Sequence, residues 1–484
     1  MQLHPALLRH LTDPAAIFPA PRDSAATFAV VNPSTGEHLA DVADLSAKDA
    51  TEAVARAEEA REAWGRRPAK DRSAVMRAWH DLILAHIDDL SAVLTAEMGK
   101  PLAESRSELQ HAAAYVEWYA EEAKRIYGET FPAPSDDRRM IVIKQPVGVV
   151  GTITPWNFPA SMIARKVAPA LSVGCAVVLK PAEQTPLIGL ALHHLAMRAG
   201  IPGEIFSILT AADGAEIGLV FCTDPRVRKV SFTGSTEVGR ILMRQGADQI
   251  KKLSLELGGN APFIVFDDAD IDAAVDGAIQ AKFRNAGQTC VSANRLYVHA
   301  AVHDAFAEKF AAAVSKLTVG DGFDAKSTVG PLIDARALGK IETHIADACA
   351  KGATVRCGGQ RLGTSGTFFP PTVLTGVTQD MQIARDETFG PVAPIVAFTD
   401  AKAVIREAND TIYGLAAYFY ASDLSRVWRV AEALEYGMVG INTGRMSSEA
   451  APFGGLKQSG IGREGSRHGA EDYLEMKYLC MGNI

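Results

Sequence analysis

The chain has 484 residues, 48% hydrophobic and 22% charged, with a formal net charge of −8. That length exceeds the ~250–300 residues at which one core stops growing, so two or three domains are expected. The acidic balance leaves no broad basic face for nucleic acid or anionic lipid, and no run approaches the ~18 apolar residues of a membrane span.

The N-terminal third reads as helix-rich. Residues 26–42 alternate weakly around Asn32-Pro33-Ser34-Thr35-Gly36 and predict a short hairpin. A helix follows Ser46, with Asp49 completing a capping-box-like start, and runs to about Trp64. A second puts Val75, Met76, Trp79, Leu82, Ile83, Ile87 and Leu90 on one face and stops at Gly99-Lys100-Pro101. A third covers 102–127, and 139–149 reads as extended chain.

From Val149 the pattern changes to strand–helix alternation. Apolar runs at 148–154, 175–180, 205–209, 228–232 and 252–256, with helical patterns between most of them, imply parallel strands in a doubly wound α/β sheet. A second alternating set follows Gly258, with strands at 261–266, 295–299, 391–398, 414–420 and 437–442. Its helices fall around 270–283, 302–316, 334–351, 401–409 and 423–436. The tail, 471–480, alternates polar and apolar like a strand, and a lone terminal strand needs a partner for its backbone.

Ligands of doubly wound sheets bind beyond the carboxyl ends of the strands. Asn157, Lys180, Gly234 and Glu256 each fall at or just past such an end. Cys290 follows a Gly287-Gln288-Thr289 turn, with Arg284 six residues earlier. A lone cysteine is most often a buried small hydrophobe; the polar, glycine-bearing turn raises Cys290 above that base. A thiolate that attacks a carbonyl creates an oxyanion needing fixed donors, and Asn157, held between Pro155 and Pro159, is one candidate. Its alternative is a turn-capping asparagine. Glu256 ends an apolar strand before Gly258-Gly259 and suits a partly dry base; a capping or ion-paired carboxylate is the alternative. No histidine accompanies the cysteine, which counts against a papain-like hydrolase. Phe232 to Gly239 carries glycines spaced GxxxxG, not the GxGxxG dinucleotide fingerprint. Ser235 and the following helix start still suit one phosphate. Lys180 and Glu183 offer an ammonium and a carboxylate for ribose hydroxyls, or form a solvated loop pair.

The six cysteines include no CxxC pair and no ligand-like spacing to histidine, so neither a disulfide framework nor a metal site is expected. A reducing, cytoplasmic setting suits them, and the start has no charged region leading into an apolar one, so no secretory signal is expected.

Seven strings, Thr154–Pro159, Lys180–Glu183, Phe232–Gly239, Glu256–Gly259, Gly287–Cys290, Glu387–Pro391 and Pro452–Gly455, stand in the order and spacing of the aldehyde dehydrogenase superfamily, which the chain resembles over residues 25–484. The resemblance implies a Rossmann-type cofactor domain (1–127 and 148–258), an α/β catalytic domain (259–460) and a small β arm (128–147 with 461–484) for assembly into a homodimer or homotetramer. It implies Cys290 as nucleophile, Glu256 as general base and Asn157 as oxyanion donor with the Cys290 N–H. NAD(P) would meet Trp156, Lys180, Glu183, Gly234, Ser235 and Leu257, with Glu387 and Phe389 at the nicotinamide end. Within the family, Lys282–Asn285, Met162–Lys166 and 460–478 resemble members that oxidise succinate semialdehyde or, alternatively, glutarate semialdehyde. There Arg165, Arg284 and Ser447 would bind the distal carboxylate, since two guanidinium forks and a hydroxyl match that group. A cysteine-dependent hydrolase or esterase is the rival in a different chemical class.

Three positions depart from the pattern. Ser292 stands where many relatives have a second cysteine, removing a disulfide switch there. Arg445 occupies a place usually apolar, two residues before Ser447. Glu183 stands where NADP users often have a small residue, and a carboxylate there accepts a 2′-hydroxyl and repels a 2′-phosphate, favouring NAD.

Overall fold

The apolar runs after Val149 form the centre of a six-stranded sheet. In space its order is Gly460–Ile461, Lys252–Glu256, Val227–Thr233, Val149–Ile153, Ala176–Lys180, Phe206–Ile208. All neighbours are parallel except the two-residue edge strand Gly460–Ile461. This computed structural model describes residues 1–20, 26–363 and 366–484. The chain builds outward from Val149–Ile153 to Phe206–Ile208, then returns to Val227–Thr233 on the other side. The reversal creates a switch point, where such sheets bind ligands. Ala176–Lys180 is buried along its whole length, as its unbroken apolar run requires when helices cover both faces.

Helix Pro159–Val173 leaves the switch-point strand. Proline opens it at the first helical position and Gly174, at φ 103°, ends it in the left-handed conformation. Every residue of this helix is buried, including Arg165 and Lys166. A helix with no solvent face can carry charges only where partners await them.

The second sheet has seven strands, ordered Thr354–Cys357, Thr372–Thr375, Val392–Phe398, Ala293–His299, Ala261–Val265, Ala416–Tyr420, Met438–Ile441. Its two faces carry separate hydrophobic clusters. Phe263 and Val265 pack on one side while Ile264, between them, packs on the other, the period-2 alternation of a strand. A third sheet pairs Leu474–Gly482 antiparallel with Arg138–Pro146, which also pairs with Glu129–Phe131. The terminal strand therefore finds its partner within its own chain, and among the described residues its other edge is unpaired.

The structure corrects several expected boundaries. The second helix is two, Ala69–Ala85 and Ile87–Met98, divided at His86 (φ −110°, ψ 21°). The first keeps one polar face. The second is buried at every position but Asp88 and so turns into the core. The third ends at Glu122 in a short 3-10 turn. Thr354–Cys357 and Thr372–Thr375, four residues each, lie in a Gly- and Pro-rich region and carried no legible alternation. No helix among the described residues is long and apolar enough to cross a membrane.

Candidate active site

Cys290 lies in a loop held by side chains rather than by regular structure. After helix Ile271–Phe283 the chain passes through three successive left-handed residues, Asn285 (φ 53°), Ala286 (φ 55°) and Gly287 (φ 72°). A non-glycine residue held there costs on the order of 1–3 kcal/mol and persists only where its surroundings over-determine it. They do. Asn285 N donates to Glu104 Oε2 at 2.9 Å, and Asn285 Nδ2 donates to the Asn157 carbonyl at 2.9 Å. The buried Gln288 amide donates to the Asn285 carbonyl (3.1 Å) and accepts from Ile333 N (2.9 Å). A Cβ on Gly287 would lie 2.2 Å from the Gly390 carbonyl oxygen, so only glycine fits.

Asn157 reaches the same loop from the switch point. Its Nδ2 donates to the Gln288 carbonyl at 3.0 Å, two residues before Cys290, which fixes the orientation of the amide. The second hydrogen of that amide makes no hydrogen bond among the described residues. The Asn157 carbonyl also accepts from the buried Lys100 Nζ at 2.7 Å.

Glu256 enters from the sheet. Gly259, three residues beyond it, lies so near the cysteine loop that a Cβ there would come within 2.2 Å of the Cys290 carbonyl oxygen. Glu256 Oε2 is buried and has no hydrogen-bond partner among the described residues. Burial and the neighbouring Glu464 carboxylate hold its carboxyl well above the ordinary range, against the opposing pull of Lys166, Arg165 and Arg463. Lys166 Nζ meets Glu464 Oε1 at 2.5 Å, so Glu464 absorbs the nearest ammonium. The Cys290 thiol is pushed up to about 12 by burial and by Glu387, Arg165 opposing. The structure thus brings the Asn157 amide and the Glu256 carboxyl to the loop of Cys290, and disfavours the charged forms of the thiol and the carboxyl.

The thiol opens into a cavity of about 650 Å³ that is also lined by Arg165, Arg284, Ser447, Phe453, His111 and Arg445. Arg165 is buried between two rings, its guanidinium carbon 5.0 Å from the centre of Tyr115 and 4.3 Å from that of Phe453. Among the described residues its Nε and Nη1 have no hydrogen-bond partner. The nearest carboxylate oxygen, Glu464 Oε2, is 3.9 Å from Nη1. Arg284 stacks over Phe158 at 5.1 Å and forms no ion pair among the described residues. His111 Nε2 accepts from Arg165 Nη2 at 3.3 Å; burial and the two arginines push its pKa down to about 3, so it adds no charge.

The residues expected to hold a dinucleotide lie along the strand ends. Lys180 Nζ pairs with Glu183 Oε2 at 3.0 Å. Ser235 caps helix Thr236–Gly246 by accepting from Val238 N, and Gly234 N donates to the Glu256 carbonyl at 3.1 Å. Leu257 packs against Gly239, where a Cβ would lie 2.6 Å away. From the second sheet, Glu387 Oε1 accepts from Gly259 N at 3.0 Å, its carboxyl pushed up to about 7 by burial. Phe389, held at φ 54°, meets Trp156 edge-on at 5.5 Å. Thr154 Oγ1 and Thr233 Oγ1, beside the switch point, are buried without partners. Unsatisfied hydroxyls, a capped helix start and an ammonium–carboxylate pair on one rim fit a dinucleotide. No metal was expected; among the described residues His4, His38 and Asp41 bring three ligand-type atoms within 4.8 Å of one another, and they are joined to each other by His4–Asp41 and His38–Asp41 contacts of 2.8 and 3.2 Å.

Sequence reasoning did not assign Lys100, Glu108, Gln288 or Glu464. Each has a partner 45 to 298 residues away, though Lys100 and Glu108, 8 residues apart, also pair with each other.

Comparison with known proteins supplies the family. The family model described as "Aldehyde dehydrogenase family" matches residues 20–479. A protein of Sinorhizobium fredii named "Probable succinate-semialdehyde dehydrogenase", NADP(+) type, is 66% identical and covers 100% of both chains. A glutarate-semialdehyde dehydrogenase of Pseudomonas aeruginosa is 57% identical over 96% of this chain and 95% of its own. The crystal structure of an E. coli NADP-dependent enzyme superposes with a TM-score of 0.95 at 55% identity, covering 98% of this chain and 100% of that one. The chain belongs to the aldehyde dehydrogenase family.

Proposed function

We propose that the protein oxidises a short aldehyde bearing a distal carboxylate, succinate semialdehyde first and glutarate semialdehyde as the alternative, with a nicotinamide dinucleotide as oxidant. One observation carries the choice of substrate. Arg165 is buried in the cavity that holds Cys290, clamped between two rings, with two donors unsatisfied. A buried guanidinium lacking acceptors is costly unless a ligand supplies them. A carboxylate held by Arg165, Arg284 and Ser447 supplies them, and a neutral aldehyde does not. The names of the relatives at 66% and 57% identity point to the same substrates.

In this mechanism the Cys290 thiolate attacks the aldehyde carbon, and the free Asn157 amide hydrogen and the Cys290 N–H stabilise the oxyanion of the thiohemiacetal. Glu387 and Phe389 would hold the nicotinamide end of the dinucleotide, which would supply the hydride acceptor. Loss of hydride leaves an acyl thioester on Cys290. Glu256 then takes a proton from water, and the hydroxide displaces the thiolate, releasing the dicarboxylic acid.

For the cofactor, the names of two relatives carry NADP, which gives no support to the NAD preference expected from Glu183. Lys180 beside it offers the cation that a 2′-phosphate needs. The reading is of an enzyme that accepts NADP and in which Glu183 limits the margin over NAD. The free edge of Leu474–Gly482, with Met476 74% and Tyr478 51% exposed, supports pairing with a second copy to form a homodimer or homotetramer.

A grid of steady-state rates tests the reading, with semialdehydes of rising length and uncharged aldehydes, each with NAD and NADP. A preference for uncharged aldehydes would remove it.

A further inference from the structure

The cavity holds more positive charge than one carboxylate requires. Arg165 and Arg284 line it together with Ser447, and those three suffice for a single carboxylate. Arg445 lines it as well. Unlike Arg165 it is exposed, and among the described residues its guanidinium makes no hydrogen bond and no ion pair. Its backbone, by contrast, is fixed. Thr443 Oγ1 accepts from Arg445 N at 3.2 Å and donates to the Arg445 carbonyl at 3.0 Å. Gly444 is wedged against the Gly277 carbonyl, which a Cβ would approach to 2.2 Å. A clamped turn therefore presents a free guanidinium at the rim.

The lining offers little to neutralise it. Its carboxyls are Glu104 and Glu108. Glu108 is paired with the buried Lys100 at 2.5 Å. Glu104 accepts from Asn285 N, and burial holds its carboxyl above the usual range.

We infer that Arg445 forms a second anion subsite at the rim of the substrate cavity, so that the enzyme takes short aldehydes whose distal end is a dianion, a phosphonate or a pair of carboxylates, in preference to isosteric monoanions. This rests on the reading of Arg165 and Arg284 as the first subsite and deepens it: those two hold one set of anionic oxygens, and Arg445 meets the remaining charge. No bond is made or broken beyond those of aldehyde oxidation.

Two aldehydes of equal shape separate charge from size: 3-phosphonopropanal, assayed above its second ionisation, and 3-sulfopropanal, a monoanion at every pH used. The readout is the ratio of their kcat/KM values in the native chain, Arg445→Gln and Arg445→Lys. The ratio should fall roughly tenfold in Arg445→Gln, the scale of one charge-assisted contact, and be largely kept in Arg445→Lys. In the native chain it should also shrink as salt rises, because an exposed charge is screened. An aldehyde ending in a malonate group, run in parallel, tells whether paired carboxylates serve as well as a phosphonate. Equal ratios in the native chain and Arg445→Gln would overturn the inference. So would oxidation of succinate semialdehyde without oxidation of either dianion, and that result would leave the first subsite standing. Oxidation of uncharged aldehydes alone would remove both subsites.

Discussion

Lys100 Nζ donates to the Asn157 carbonyl at 2.7 Å and, in the same position, meets Glu108 Oε2 at 2.5 Å. Both side chains are buried. Glu108 Oε1 in turn accepts from Ala160 N at 2.9 Å and Ser161 N at 3.3 Å, capping the helix that carries Arg165. One buried ion pair therefore fixes both the loop of Asn157 and the helix of Arg165. Removing one partner of such a pair typically costs about 3–5 kcal/mol, because the other is left charged in a dry site. Lys100→Met should lower the melting temperature and depress kcat. Its effect on kcat should add less than fully to that of Asn157→Ala, since both act through the same donor. Fully additive losses in the double variant would show that Lys100 does not act through Asn157.

Asn157→Ala should lower turnover by about 10²–10³, the usual effect of losing one oxyanion donor, with cofactor affinity retained. Cys290→Ala should abolish oxidation and still bind dinucleotide, measured by fluorescence titration. Ordinary turnover in that variant would assign the chemistry elsewhere.

The Glu256 carboxyl, raised by burial and by Glu464, is protonated below its folded pKa and cannot accept a proton from water. The deacylation rate should therefore rise with pH through that value, and Glu256→Gln should lose this limb and accumulate the acyl-enzyme, visible as a burst. The effect on stability has the opposite sign. Because the folded pKa lies above the unfolded one, the contribution of Glu256 to stability is fully present below the unfolded pKa, ~4.3, and is lost as pH rises toward the folded value. Denaturant titrations should find Glu256→Gln more stable than the native chain at alkaline pH, with the difference vanishing in acid.

With its thiol pushed up to about 12, Cys290 should react slowly with iodoacetamide at neutral pH in the cofactor-free protein. If the nicotinamide binds on the Glu387 side of the sulfur as proposed, oxidised dinucleotide should speed modification of the Cys290 peptide, while the exposed Cys349 and Cys480 react at one rate throughout. Peptide mass spectrometry follows all three, and a Cys290 rate indifferent to cofactor would place the nicotinamide away from the sulfur.

Glu183→Ser should raise the ratio of kcat/KM with NADP to that with NAD by about tenfold, since it removes a like charge beside the 2′-phosphate and frees Lys180, now paired at 3.0 Å. An unchanged ratio would show that the ribose 2′ position lies elsewhere.

The sequence determined much of this protein by itself. Parallel strands buried on both faces need continuous apolar runs, and those runs, with glycines where backbone meets backbone, placed Asn157, Lys180, Gly234 and Glu256 at strand ends. The helix start at Ser235 was legible because its cap is local; the turn before Cys290 was legible in its residues, while the contacts that hold it, with Glu104, Asn157 and Ile333, are not local. What only the tertiary structure decided is which charges neutralise which. Lys100 with Glu108, Lys166 with Glu464, and Arg165 left between Tyr115 and Phe453 with vacant donors are pairings across 8 to 298 residues. The break at His86 also came from outside the segment, since whether a helix continues along the surface or turns into the core depends on what it packs against. Periodicity records which face of an element is apolar; it does not record which element will meet it, and a buried charge takes its pKa and its role from that meeting.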